Sequence, residues 1–181
     1  MNFAPLVFYD TFEVVASLPH RIGLFRQDAD VEGRRVLMLR APRAGEDENA
    51  DSVAFGWNAQ HLPKKWPQIH NLLGRMLRDA KQRVDGDVEL GRIYLEMLDP
   101  GAVLPWQTLT GAYIERYTRT HLALRTNPAT MMFSGNETYS PAQGWLTAIN
   151  ARVRCSASND GAWPRIHLIA DVRKKEPTDG A

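Results

Sequence analysis

Two short stretches hold the side chains best suited to chemistry, Arg119-Thr120-His121 and Arg165-Ile166-His167. Each opens an apolar run, Arg-Thr-His-Leu-Ala-Leu from Arg119 and Arg-Ile-His-Leu-Ile-Ala-Asp from Arg165, that reads as a strand. Alternate residues of a strand share a face. Arg119 therefore points with His121, and Arg165 with His167. If those faces look inward, each guanidinium needs a counter-charge, because a buried unpaired ion is strongly destabilising. An organic acid would serve, since the arginine fork matches a carboxylate in bidentate geometry. Equally, each arginine faces solvent or pairs with an Asp or Glu of the chain itself.

Cys155 is the only cysteine, which rules out an internal disulfide and suits a reducing cytoplasm. A thiol close to Arg152, Arg154 and Arg165 would be activated as a nucleophile; against this, cysteine is a common small buried residue. No Cys-His-Asn arrangement can be recognised by spacing. His121 and His167 with Cys155 offer an N/N/S set of zinc type. The other histidines, His20, His61 and His70, lie in the N-terminal half.

These residues need elements to position them. At 181 residues and 44% hydrophobic content, one domain with an ordinary core is expected. Lys and Arg number 22 against 21 Asp and Glu, a balance that gives nucleic-acid binding no electrostatic support. Residues 1–16 lack the basic-then-apolar order of a signal peptide. No apolar stretch approaches the roughly 18 residues needed to cross a bilayer. A cytoplasmic protein without a nucleic-acid or membrane partner is expected.

Asp10 and Glu13 form a capping pair for a short helix through Phe12, Val15 and Leu18. Residues Arg34 to Arg40 read as a strand, and Ala41 to Ser52 as an exposed loop. The clearest helix runs from about Lys64 to Val84, with Trp66, Ile69, Leu73, Met76, Leu77, Ala80 and Val84 at steps of three and four. Asp85-Gly86 ends it. Beyond this point the texture is β-rich: Gly91 to Leu98, Tyr113 to Leu124, Thr130 to Ser134, Gly144 to Ile149 and Arg165 to Val172. Turn signals at Pro100-Gly101, Asn127-Pro128, Gly135-Asn136 and Asn159-Asp160-Gly161 divide these segments, so an antiparallel barrel or sandwich is expected. The expected architecture is an α/β part over residues 1–90 packed on a β-barrel core over 91–173, with a disordered tail at 174–181.

In order and spacing, the stretch from Arg92 to Arg173 resembles the aspartyl/asparaginyl β-hydroxylases, a family of iron(II)- and 2-oxoglutarate-dependent oxygenases. The matching pieces are Leu98-Asp99-Pro100-Gly101, Gly111-Ala112-Tyr113, Arg119-Thr120-His121-Leu122 and Thr126-Asn127-Pro128. They continue with Gly135-Asn136-Glu137-Thr138, Asn150, Asn159 and Arg165-Ile166-His167-Leu168-Ile169-Ala170-Asp171-Val172. The run from Trp57 to Val84 is similar to the helix that precedes this core. The resemblance implies a double-stranded β-helix, or jelly roll, of cupin-like shape. It implies that Arg119 and Arg165 hold the carboxylates of 2-oxoglutarate or a similar dicarboxylate, with His121 contacting the cosubstrate. Trp106, His167 and Asn136 are expected to line the pocket.

The metal half departs from the pattern. The family's first histidine and its acid fall on Gln107 and Leu109 in a gap-free alignment, or on Trp106 and Thr108 when anchored on Pro105. The second histidine position is Cys155. Non-haem iron(II) is held by imidazole and carboxylate in a facial set; a carboxamide, an indole, an alkyl chain and one thiol do not supply it. Iron and iron-dependent hydroxylation are therefore not expected, and Trp106 is expected to fill the vacated volume or to serve as a stacking platform for a ligand. Three functions follow. The first is a catalytically silent relative that binds a small carboxylate or a protein or peptide partner. The second is a metal-free isomerase, cyclase or lyase using Gln107, Thr108, Cys155 and Ser156. The third is an active hydroxylase of a protein side chain, amino acid or lipid whose ligands lie elsewhere.

Overall fold

The computed structural model describes residues 1–47, 54–58, 65–84 and 87–175. In chain order the elements are β1 (Phe3–Phe8), α1 (Phe12–Ser17), a 3-10 helix (Leu18–Leu24), β2 (Arg26–Gln27), β3 (Arg34–Pro42), β4 (Phe55–Trp57) and α2 (Pro67–Val84). They continue with β5 (Val88–Leu98), β6 (Val103–Gln107), α3 (Ala112–Arg116), β7 (Thr118–Arg125), β8 (Thr130–Ser134), β9 (Glu137–Tyr139), β10 (Trp145–Ile149), β11 (Cys155–Asn159) and β12 (Arg165–Lys174). Among the described residues, an eight-stranded sheet runs in the order β1-β10-β7-β12-β5-β3-β2, with β4 also on β3. A four-stranded sheet runs β6-β11-β8-β9. Every pairing is antiparallel. This is the two-sheet jelly roll.

Two corrections concern the N-terminal part. It is not a separate α/β layer: β1, β2, β3 and β4 all join the large sheet, and the division expected at residue 90 falls inside β5. The helices then cover one face of that sheet. Burial drives this arrangement. Leu37 and Leu39 on β3, Leu95 on β5, Leu122 and Leu124 on β7 and Leu168 on β12 form one core with Trp66 and with Ile69, Leu72 and Met76 of α2. Helix α2 begins at Pro67, whose fixed φ and missing N–H suit the first helical turn. Trp66, just outside the helix, is buried and donates its indole N–H to Ser17 Oγ at 2.8 Å. Lys64, His61 and the stop at Asp85-Gly86 lie outside the described residues.

Other elements differ locally. Helix α1 forms and Leu18, at the start of the 3-10 helix, is buried as expected, but the N-cap is Thr11 without a side-chain cap, Asp10 Oδ1 accepts only the Phe12 N–H at 3.0 Å, and Val14 takes the other core position while Phe12 stays 75% exposed. Tyr113 to Arg116 is a helical turn, not strand; Gly111, at φ 104°, permits the backbone to enter it. Strands β6 and β11 were not expected. Pro105 interrupts β6, which tolerates it because β6 is an edge strand; β11 reads Cys-Ser-Ala-Ser-Asn and is held as a strand by pairing on both sides. Proline also sits in β1, the far edge of the large sheet, where the register shifts between Pro5 and Val7. Strand β3 continues through Pro42, into the loop expected from Ala41; residues 48–53 are not described. Strand β12 continues through Lys174, so the expected tail loses its first residue to the sheet, and Lys175 N–H still bonds Asp87 O at 2.8 Å. No helix among the described residues is long and apolar enough to cross a membrane.

Candidate anion site between the sheets

Strand alternation sends Leu122, Leu168 and Ala170 to the helix-covered face, and so sends Arg119, His121, Arg165, His167 and Asp171 to the face opposite the small sheet. A cavity opens there. It is lined from the large sheet by Arg34, Tyr94, Glu96, Arg119, His121 and Arg165, and from the small sheet side by Leu104, Gln107, Cys155 and Ser156, with Leu109 just beyond β6.

Both arginines carry an internal carboxylate. Arg119 and Asp171 are partners across β7 and β12, and the pair is bidentate: Nε donates to Oδ1 and Nη2 to Oδ2, each at 2.8 Å. Asp171 Oδ2 also accepts the Tyr113 hydroxyl at 3.0 Å, while that hydroxyl accepts the Arg92 N–H at 2.8 Å. The three donors orient Asp171, and Asp171 in turn orients Arg119. Burial and the neighbouring Asp171 charge push the Tyr113 phenol upward, so it remains a donor.

Arg165 is held differently. It is fully buried, and its Nη2 bonds Glu96 Oε1. Glu96 Oε2 accepts Arg34 Nε at 2.9 Å, and Arg34 Nη1 reaches Asp28 Oδ2 at 2.6 Å. A charge ladder, Asp28–Arg34–Glu96–Arg165, thus leads from the rim to the interior. Burial lowers the Arg165 pKa and Glu96 opposes that shift. Arg165 Nε and Nη1 are nevertheless buried with no partner. His121 Nδ1 and both ring nitrogens of His167 share that condition. The two imidazoles meet edge to face at 5.8 Å between centroids. Burial, reinforced by the Arg165 charge, holds both histidines far below the ordinary imidazole pKa, so both are neutral.

Gln107 and Cys155 are register partners across β6 and β11, and both line the cavity with Leu109. Trp106 does not. It is 45% exposed, packs on Phe133 at 5.7 Å and lies under the Arg154 guanidinium at 5.3 Å. Because Gln107 faces in, strand alternation turns Trp106 out, so it neither fills the cavity nor offers a platform inside it. Thr108 is also exposed. Asn136 sits exposed in the turn between β8 and β9 and lines no part of the cavity. His167 lies beside His121 without bordering the cavity itself. The arginines expected to activate Cys155 are engaged elsewhere: Arg152 donates to Ile114 O and Glu115 O, and Arg154 covers Trp106. The thiol faces Val153 O at 3.2 Å and Ser134 Oγ at 3.5 Å. Among the described residues, no cluster of three His, Cys, Asp or Glu side chains is arranged to hold a metal ion.

Glu96, Arg34 and Asp28 were missed in the sequence. Glu96 is a charged residue inside an otherwise apolar strand, a signal of an ion pair, but its partners lie 62 and 69 positions away. Asp171 was legible in part, since it ends the run that starts with Arg165.

The arrangement is that of a known fold. Over 96% of this chain and 85% of the other, the structure superposes on a 2OG-Fe(II) oxygenase family oxidoreductase from Burkholderia pseudomallei, with a TM-score of 0.68 and 14% identity. HygX from Streptomyces hygroscopicus, solved with nickel and 2-oxoglutarate bound, gives 0.61 at 12% identity over 96% and 83% of the two chains. A Pseudomonas putida prolyl-4-hydroxylase gives 0.60 at 13% identity over 97% and 94%. No curated protein matches. The profile of the Aspartyl/Asparaginyl beta-hydroxylase family matches residues 36–175, from β3 through the end of β12 and well over half of the sequence. The chain therefore belongs to the aspartyl/asparaginyl β-hydroxylase family.

Proposed function

We propose that this family member binds a small dicarboxylate of the 2-oxoglutarate type between its two sheets and works as a binding or interaction scaffold without iron-dependent hydroxylation. One observation carries the binding half: Arg165, completely buried, keeps Nε and Nη1 unpartnered beside the equally unpartnered Nδ1 of His121. Buried donors without acceptors are rare and destabilising, and a carboxylate supplies the missing acceptors. Arg119 lines the same cavity, already oriented by Asp171. HygX, which shares the fold, was solved with 2-oxoglutarate.

The donor set supports the second half. Of the positions that correspond to the family's metal ligands, those bordering the cavity are Gln107, Leu109 and Cys155. An amide oxygen is a weak neutral ligand, an alkyl chain is none, and one thiolate favours softer ions than iron(II). This set does not fit the metal.

A second reading has its own support. Gln107, Cys155 and Ser156 border the cavity together while Trp106 stays outside it, so room and polar groups exist for metal-free chemistry on a carboxylate substrate.

Calorimetric titration of the chain with 2-oxoglutarate in chelator-containing buffer tests the binding. Saturable one-to-one heat that disappears in Arg165→Gln is expected, and silence at millimolar ligand would remove the claim. Elemental analysis after anaerobic incubation with ferrous ion tests the rest: about one iron per chain, with succinate formed on adding 2-oxoglutarate, would overturn it. Consumption of a carboxylate substrate without metal would favour the second reading.

A further inference from the structure

One wall of the cavity between the sheets is basic, and the wall facing it carries a thiol. Cys155, the first residue of β11, borders the cavity from the small sheet and is partly exposed. Its Sγ lies 3.2 Å from Val153 O, 3.5 Å from Asn150 O and 3.5 Å from Ser134 Oγ. Ser134 Oγ gives its own hydrogen to Asn150 O at 3.1 Å. All three contacts are therefore acceptors for the thiol hydrogen, and among the described residues no donor covers the sulfur lone pairs. The hydroxyl that borders the cavity beside it, on Ser156, is tied to Leu104 O at 2.6 Å. Cys155 is the available nucleophile.

An independent mark of a ligand stands opposite. Arg165, on β12 of the large sheet, is completely buried, borders the same cavity and keeps Nε and Nη1 unpartnered. His121 Nδ1 shares that state. Buried donors of this kind call for an anionic acceptor. Arg119 also borders the cavity and keeps Nη1 outside its bidentate pair with Asp171, where a second carboxylate can reach it. A short diacid held this way has its carbon chain between the sheets, facing the wall that carries Cys155. That wall is apolar around the sulfur, with Leu104, Met132, Ile149 and Ala157.

We infer that Cys155 is a covalent acceptor for an α,β-unsaturated dicarboxylate of the fumarate type, anchored by a carboxylate on Arg165 and attacked by the thiol at its double bond. This depends on the same site holding a dicarboxylate, as proposed above. The sulfur attacks as thiolate. Sγ bonds to one alkene carbon, the π bond breaks, and the proton that leaves the thiol ends on the neighbouring carbon. The product is a thioether of succinate; no leaving group departs and no external oxidant or reductant is consumed. Anchoring makes the attack effectively unimolecular, which offsets the low reactivity of an ionised unsaturated acid toward thiols in free solution.

Incubation of the full chain with fumarate at neutral pH, followed by mass spectrometry of the intact protein and its peptides, is the direct test. The mass of one fumarate per chain is expected, located on Cys155, the single cysteine. The rate should saturate with fumarate concentration and run about a hundredfold above that of the same chain in denaturing urea. Succinate, which has no double bond, should slow it competitively. Arg165→Gln should slow it roughly tenfold while leaving alkylation by iodoacetamide, which is neutral and needs no anchor, as in the parent. Competition by succinate carries the test if that variant does not fold. An unlabelled thiol in a chain that gives heat with 2-oxoglutarate overturns the inference and leaves the dicarboxylate site standing. No label and no heat removes both. Labelling that never saturates, that succinate leaves unchanged, or that Arg165→Gln slows no more than iodoacetamide alkylation is chemistry outside the anchored site and overturns the inference as well.

Discussion

His121 and His167 make acid stability a direct test of the site's architecture. Their buried nitrogens lack partners, and burial together with the Arg165 charge holds both rings neutral in the folded chain. In the unfolded chain each imidazole titrates near the ordinary value of about 6.5. Between that value and the lower folded one, the unfolded state binds more protons, so stability rises with pH and is lost as pH falls. The contribution is fully present above about pH 7.5. For one such histidine the loss grows by on the order of 1 kcal/mol for each pH unit below the unfolded value. The pair should therefore lose on the order of 2–3 kcal/mol between pH 7.5 and 5.5, a large fraction of a typical stability of about 5–15 kcal/mol. Urea unfolding at several pH values measures it. In His167→Leu, which keeps an apolar filling, the loss over the same interval should be roughly half as large. Equal pH dependence in the variant and the parent would show that His167 is not held neutral, and the account of the site would fail.

Two further outcomes test the charges and the ligand positions. Glu96→Gln removes the counter-ion of a fully buried arginine and should cost about 3–5 kcal/mol; 2-oxoglutarate should raise its melting temperature more than that of the parent, and an unchanged unfolding midpoint would refute the ladder. Gln107→His with Leu109→Asp and Cys155→His places imidazoles on register partners and a carboxylate two residues on; it should bind nickel(II) at about one ion per chain where the parent binds none, and equal metal content in both would count against the lost-ligand reading.

What could be read in the sequence divides along physical lines. Period-2 alternation put Arg119 with His121 and Arg165 with His167, and all four stand on the inner face of the large sheet, because alternation is a property of a strand alone. The period of α2 held for the same reason, although Leu72, fully buried, escaped it. Pairing is different. The chain does not say which strand meets which, so β11, with little β-propensity of its own, was invisible until β6 and β8 flanked it. For that reason Trp106 was given to the cavity: only the partnership of Gln107 with Cys155 fixes which face of β6 looks inward. Glu96 and Asp171 likewise needed their cross-strand neighbours before they could be seen as the counter-ions of Arg165 and Arg119.

That pairing changes what a ligand must satisfy. The three arginines that border the cavity, Arg34, Arg119 and Arg165, are matched by three acids in contact with them, Asp28, Glu96 and Asp171. The site is rich in donors yet close to neutral. A dicarboxylate that enters as a dianion brings charge that these pairs have already spent, in a region where little water remains to screen it. The nearest group able to answer is His121, neutral in the free protein and bordering the cavity. An anion beside it reverses the effect of the Arg165 charge and raises its proton affinity. Binding of 2-oxoglutarate should therefore take up a proton and grow tighter as pH falls from 8 toward 6. Calorimetry in buffers of different ionisation enthalpy reads the uptake directly. His121→Asn should abolish it while keeping a polar contact. Binding with no proton uptake in the parent would mean that the arginines alone carry the anion, and that Glu96 or Asp171 gives way when it arrives.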